Sequence, residues 1–188
     1  MVPKILLDMD GVIVDFKRGG LGHPNAVNKV EYKDLTYQFD RQVFTDSDKD
    51  FWPLLQRDFW ANLEWTTEGK SILNLCIEAV GIRNICICTK PTHQKTVECV
   101  AGKLEWIKRE IPALVSSFMI TNVKYMAASR YSILLDDLDD NCQKFEQHGG
   151  NSIIVPQPWN SKRNVWMEDE KIPSEYIEKE LYKLISAM

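Results

Sequence analysis

The 188-residue chain holds no apolar run long enough to cross a bilayer, so no membrane partner is expected. Positive charge is not in excess: 23 Lys and Arg stand against 27 Asp and Glu, a formal net charge of −4. Binding to long nucleic acid by counterion release calls for the opposite balance, so no long nucleic acid is expected as a partner. Histidine is scarce, at three residues, and His23 has no evident partner in its turn-rich segment, which leaves it a loop residue. The five cysteines, an odd number, lack any Cys-x-x-Cys spacing; Cys86-Ile87-Cys88 lies in an apolar run and reads as packing. Free thiols of this kind suit a reducing, cytoplasmic compartment. The first apolar run starts close to Met1, so no signal peptide is expected. Internal repeats and low-complexity segments are also lacking.

What is present is a device used twice. Ile5-Leu6-Leu7 is a short apolar run of the kind that forms a strand buried on both faces, and it discharges into Asp8-Met9-Asp10-Gly11. Ligand sites in open α/β sheets lie at the carboxyl ends of strands. Two carboxylates this close repel unless a cation lies between them. Mg²⁺ is the hard ion that takes one or two carboxylates beside waters and substrate oxygens. Alone, the pair is better read as a strand end with solvated acids. Tyr131-Ser132-Ile133-Leu134-Leu135-Asp136-Asp137 repeats the pattern, and two such strand ends together point to one shared metal site.

The elements between them alternate. A helix is expected over 67–81, with Ile72, Leu75, Cys76 and Ala79 on one face and Gly81 as its stop. A strand over 84–88 ends at Thr89, and Pro91 fits the first turn of a helix from Thr92 to Glu110, with Val97, Val100, Leu104 and Ile107 facing inward. Strands follow over 117–121, 131–135 and 152–155, then a polar linker over 161–172 and a closing amphipathic helix over 174–187. This alternation predicts an α/β fold, a doubly wound Rossmann-like parallel sheet. With 44% hydrophobic residues the chain can build one domain with a proper core.

Residues 25–66 break the rhythm. Phe39, Phe44, Phe51, Trp52, Phe59, Trp60 and Trp65 are concentrated there, and the segment reads as a small helical cap inserted after the first strand. The catalytic core is then 1–24 and 67–188. A cap excludes water from a site, and aromatic faces suit a nucleobase. Most of these rings are expected to form the cap's own core; Phe51, Trp52 and Phe59 are the ones expected to face substrate. Val12 to Phe16 is expected as a flap beside the site, with Phe16 touching substrate. Lys17 or Arg18 could meet a phosphate there, although solvated loop charges explain them as well. Thr89 offers a hydroxyl and free backbone N–H groups at a strand end, with Lys90 beside it; it also fits a plain helix cap. Lys124, just past a strand end, could neutralise a phosphate or remain a solvated lysine. Trp159 and Asn160 emerge on the same edge.

Asp8-Met9-Asp10-Gly11-Val12, Thr89, Lys124 and Asp136-Asp137, in that order and each against a strand, resemble the four motifs of the haloacid dehalogenase-like phosphohydrolases. The resemblance covers residues 1–156 and is closest to the 5′(3′)-deoxyribonucleotidase group, including phage and bacterial relatives. That narrower likeness rests on Asp15-Phe16, the Phe/Trp-rich insert, Ile87-Cys88-Thr89-Lys90-Pro91 and Thr121-Asn122-Val123-Lys124. The resemblance implies a Mg²⁺-dependent phosphomonoesterase acting on deoxynucleoside monophosphates. Asp8 would be the nucleophile and Asp10 the general acid and base, its backbone carbonyl reaching the metal. Asp8 and Asp136 would hold Mg²⁺, with Asp137 ligating through water or orienting the groups around the metal, and Thr89 and Lys124 would hold the phosphoryl oxygens. The group's Thr-Arg-x-Lys reads Thr121-Asn122-Val123-Lys124 here, so one positive charge is missing, and Arg130 is the candidate to replace it. Three alternatives stay open: a phosphatase for another small phosphate ester, a non-catalytic nucleotide- or metal-binding module, and a polynucleotide-end phosphatase. A homodimer is compatible with the sequence and not required by it.

Overall fold

The computed structural model describes residues 2–168 and 172–188. Four apolar runs and one shorter segment become β1 (Lys4–Leu7), β2 (Ile85–Thr89), β3 (Phe118–Ile120), β4 (Ser132–Asp136) and β5 (Asn151–Ile154). All pairings are parallel, in the order β3-β2-β1-β4-β5. This is the α/β doubly wound, Rossmann-like sheet. Alternate residues serve its two faces. Ile5, Leu7, Ile85, Ile87, Ile133, Leu135 and Ile153 join the large core, together with α5 (Gly69–Val80) and α9 (Ile172–Ser186). Leu6, Cys88 and Leu134 point the other way, onto Phe145 of α7 (Asp139–Gln147).

β1 is central, and the chain runs outward from it through β2 and β3 before crossing back to β4 on its other side. The strand order therefore reverses beside β1, which is where open α/β sheets form their ligand crevice. In-register pairing of Leu7 with both Ile87 and Leu135 brings Asp8, Thr89 and Asp136 to one edge.

Between β1 and α5 the chain makes α1 (Phe16–Leu21), α2 (Phe39–Val43), α3 (Ser47–Asp50) and α4 (Arg57–Ala61). It leaves the sheet layer at Asp15, whose N–H donates to the Glu64 carbonyl, and returns beside it, with Val14 bridged to Trp65. Phe16 packs among the rings of Phe39, Phe51, Trp52, Phe59 and Trp60, so α1 shares the insert's aromatic cluster.

Several expectations are corrected. Val12, Ile13 and Val14 are no flap: they are fully buried in a turn whose N–H groups converge on the Met9 carbonyl. The helix after β2, α6 (Thr96–Glu110), starts at Thr96, because Thr92 to Lys95 form a loop in which Thr92 Oγ1 donates to the Gln94 carbonyl and Lys95 takes φ 52°. Thr89 thus ends a strand without abutting a helix N-terminus. The inward face of α6 is Cys99, Gly102, Lys103, Trp106 and Ile107, whereas Val97 is 77% exposed. The expected linker over 161–172 contains α8 (Arg163–Glu168), and its residues 169–171 lie outside the described ones.

The insert is pressed onto the core where α4 crosses α6 at Gly102. A Cβ there would come within 2.4 Å of the Arg57 carbonyl oxygen and 2.5 Å of Trp60 Cβ. Gly102→Val is expected to force α4 outward at a cost of about 1–3 kcal/mol, read as a lower urea midpoint with an unchanged slope.

Candidate active site

Asp8 follows β1 directly, its N–H donating to the Leu135 carbonyl of β4 at 2.9 Å. The chain then turns sharply at Gly11, which has φ +77°. A Cβ on Gly11 would lie 2.4 Å from Asp137 Oδ2, so glycine is needed there for conformation and for space. Asp8, Asp136 and Asp137 are all buried, and each offers a carboxylate oxygen within 4.8 Å of the others.

Three buried acids at that separation are costly without a cation. Burial pushes the Asp8 carboxyl up to about 7; Lys124 opposes the shift, while Asp136 and Asp10 add to it. Burial also raises Asp137, with Asp136 and Asp8 adding to it. Lys124 Nζ bridges Asp8 Oδ1 and Asp136 Oδ2 at 2.6 Å each. Burial alone would lower the Lys124 pKa, but the two carboxylates outweigh it and keep the ammonium charged. One ammonium for three carboxylates leaves a negative excess, and an all-oxygen donor set of this kind suits Mg²⁺.

The segment after β5 holds this cluster from behind. Trp159 Nε1 donates to Asp137 Oδ2 at 2.6 Å and Asn160 Nδ2 to the Asp137 carbonyl at 2.8 Å. Gln157 Nε2 donates to the Gly11 carbonyl at 2.6 Å. Trp159 and Asn160, which emerge on this edge as expected from the sequence, hold the acidic loop in place.

Asp10 and Thr89 are brought together by a residue that sequence reading missed. Lys103 is fully buried on α6, and its ammonium donates to Asp10 Oδ2, to Thr89 Oγ1 at 2.8 Å and to the Lys90 carbonyl at 2.8 Å. All three donors are used, and the ring of Trp60 lies 5.2 Å away. Asp10 Oδ1 is left buried with no hydrogen-bond partner among the described residues. Asn141 was also missed: it donates to both Asp136 oxygens, at 2.9 and 3.0 Å, and accepts from Lys90 Nζ at 2.5 Å.

A cleft of about 360 Å³ opens over Asp8, Asp10 and Asp137, within the range of small-ligand pockets. Phe16, Trp52 and Lys90 line it, as do Lys17, Phe39 and Arg41. Phe51 does not reach it. That ring is fully buried, stacked on Phe44 at 4.4 Å, because Phe51 and Trp52 are sequence neighbours and point to different sides. Phe59 lies on another surface, beside Asp15 and Arg18. Arg18 is turned away from the cleft, bonded to Asp15 at 3.0 Å. Arg130 is no replacement for the missing charge: it lies over Tyr131, just before β4 begins, at the opposite end of that strand from Asp136.

A family model described as 5′ nucleotidase, deoxy (pyrimidine), cytosolic type C protein (NT5C) matches residues 1–180. No curated protein matches the chain. No helix among the described residues is long and apolar enough to cross a membrane.

Proposed function

This chain belongs to the 5′ nucleotidase, deoxy (pyrimidine), cytosolic type C family and is a phosphoric monoester hydrolase of the haloacid dehalogenase-like type, and we propose that it hydrolyses deoxynucleoside monophosphates through an aspartyl-phosphate on Asp8. The observation that carries this reading is the buried convergence of Asp8, Asp136 and Asp137 with Lys124, beneath a cleft walled by Phe16, Phe39 and Trp52.

In the first step an Asp8 carboxylate oxygen forms a bond to phosphorus in line with the bond to the leaving nucleoside oxygen, which breaks. Asp10 gives that oxygen its proton. Lys103 holds Asp10 by Oδ2, so Oδ1 is the atom available to the reacting oxygen. In the second step a water attacks the phosphoryl group, Asp10 takes the water's proton, and the acyl-phosphate bond breaks to release phosphate and regenerate Asp8. Lys124 fixes the Asp8 carboxylate and, with the Thr89 hydroxyl, offsets charge on the phosphoryl oxygens. Mg²⁺ held by Asp8, Asp136 and Asp137, with the Asp10 carbonyl, would supply the remaining positive charge for a phosphate dianion. The insert over 25–66 acts as the cap, with Trp52 and Phe16 as the base-facing rings and Lys90 near the phosphate. The five cysteines, all unpaired, support a reducing, cytoplasmic setting.

The test is phosphate release from deoxy- and ribonucleoside monophosphates and from sugar phosphates, each with Mg²⁺ and with EDTA. Release is expected from deoxynucleotides, with Mg²⁺ only. Release from sugar phosphates alone would move the reading to another small phosphate ester, and release undiminished by EDTA would remove the metal from it.

A further inference from the structure

We propose that Lys17 is a substrate-contacting residue of the cleft, a second cation for the substrate's phosphate beside Lys90, which lines the same cleft; this rests on the phosphatase reading above. Three lysines around the site are buried, and their amines are held in two ways. Lys124 and Lys103 are each ion-paired to carboxylates. Lys17 is only 7% exposed, and among the described residues no carboxylate oxygen lies within 4.0 Å of its ammonium. Its hydrogen-bond acceptors are two backbone carbonyls, Thr36 at 3.0 Å and Tyr37 at 3.5 Å. The rings of Phe39 and Trp159 hold it on either side, at 4.5 and 4.4 Å. An ammonium has three donors, so one is left without a protein acceptor among the described residues.

Burying a charge this deeply without an opposite partner is costly. Burial lowers the Lys17 pKa to about 8 even though Asp137 and Asp40 pull it upward. Lys17 is anchored at its end by carbonyls and ring faces, inside a cleft that also presents Asp8 and Asp10. An anionic oxygen in that cleft completes its donor set and supplies the missing charge. The same contact joins insert to core, because Phe39 belongs to α2 while Trp159 bonds Asp137.

The experiment is calorimetric titration of inorganic phosphate, in Mg²⁺, into the wild type and into Lys17→Met, Lys17→Gln and Lys17→Arg. Methionine keeps the stem length and the ring contacts; glutamine serves if it misfolds. Loss of one charge-assisted hydrogen bond is expected to weaken phosphate by about 10- to 100-fold in the Met and Gln variants. Arginine is expected to restore most of the affinity. Phosphate affinity within about twofold of wild type in both neutral variants overturns the assignment, as does a wild type that binds no phosphate. A wild type that binds phosphate through Lys17 yet hydrolyses no nucleotide would overturn the proposed function and leave this assignment standing.

Discussion

Asp8→Asn is expected to lose turnover by about 10⁴-fold or more while keeping the fold. The amide is nearly isosteric with the carboxylate but cannot form the acyl-phosphate. The same variant has a stability signature with a defined sign. The folded-state pKa of Asp8 is pushed up to about 7, from 3.8, first by burial. Through that interval the folded protein retains a proton that the unfolded chain has released. The contribution of Asp8 to stability in the metal-free protein therefore falls as pH rises from about 4 to about 7. Asparagine has no such dependence. Without metal, Asp8→Asn should match the wild type near the acid end of that window and melt higher above it. Added Mg²⁺ should raise the Tm of the wild type more than that of the variant. Scanning calorimetry at several pH values, with and without Mg²⁺, checks both. A variant less stable than wild type above neutrality would mean that Asp8 is a paired structural acid rather than a strained nucleophile.

Lys103→Met is expected to lower kcat by about 10²–10³-fold with little change in KM. Lys103 is the donor shared by Asp10 Oδ2 and Thr89 Oγ1, so its removal frees the acid and the phosphate-holding hydroxyl together. Met is similar in length and retains the contact with Trp60, which limits the effect on folding. The loss should depend on the leaving group. A nucleoside alkoxide needs its proton, whereas an aryl phosphate ester departs readily without one, so the defect in the first step should shrink on the aryl ester. The pH profile of kcat/KM should also change, since it reports the free enzyme's acid and base. A loss equal on both substrates with an unchanged profile would make Lys103 a packing residue, and kcat within about threefold of wild type would remove it from the mechanism.

Much of this site was legible because it is written in strand ends. Ile5-Leu6-Leu7 before Asp8, and Ile133-Leu134-Leu135 before Asp136, are apolar runs that stop at acids, and parallel pairing in register brings them together without help from the loops. The insert was less legible for a physical reason. Its α-helices are four or five residues long, too short for a periodic stripe to tell which side of each ring pair is buried. Phe51 and Trp52 are equivalent in composition and opposite in placement. Lys103 was lost because a lysine in a helix is ordinarily a solvated charge. Its spacing carried a signal all the same: it lies four residues after Cys99 and three before Trp106, both fully buried. Reading the helix as starting at Thr92 obscured this, since the left-handed Lys95 and the Thr92 loop shift the inward face onto Cys99, Gly102 and Lys103. The Lys90–Asn141 and Lys17–Thr36 contacts span 51 and 19 residues of chain, which only folding brings together.

The most direct measurement of the central claim is acid quenching during turnover of a deoxynucleoside monophosphate, followed by mass spectrometry of the amino-terminal peptide. The account predicts a phosphoryl group on Asp8 in the wild type and none in Asp8→Asn. A phosphoryl group on another side chain, or an Asp8→Asn variant that still turns over at close to the wild-type rate, would contradict it.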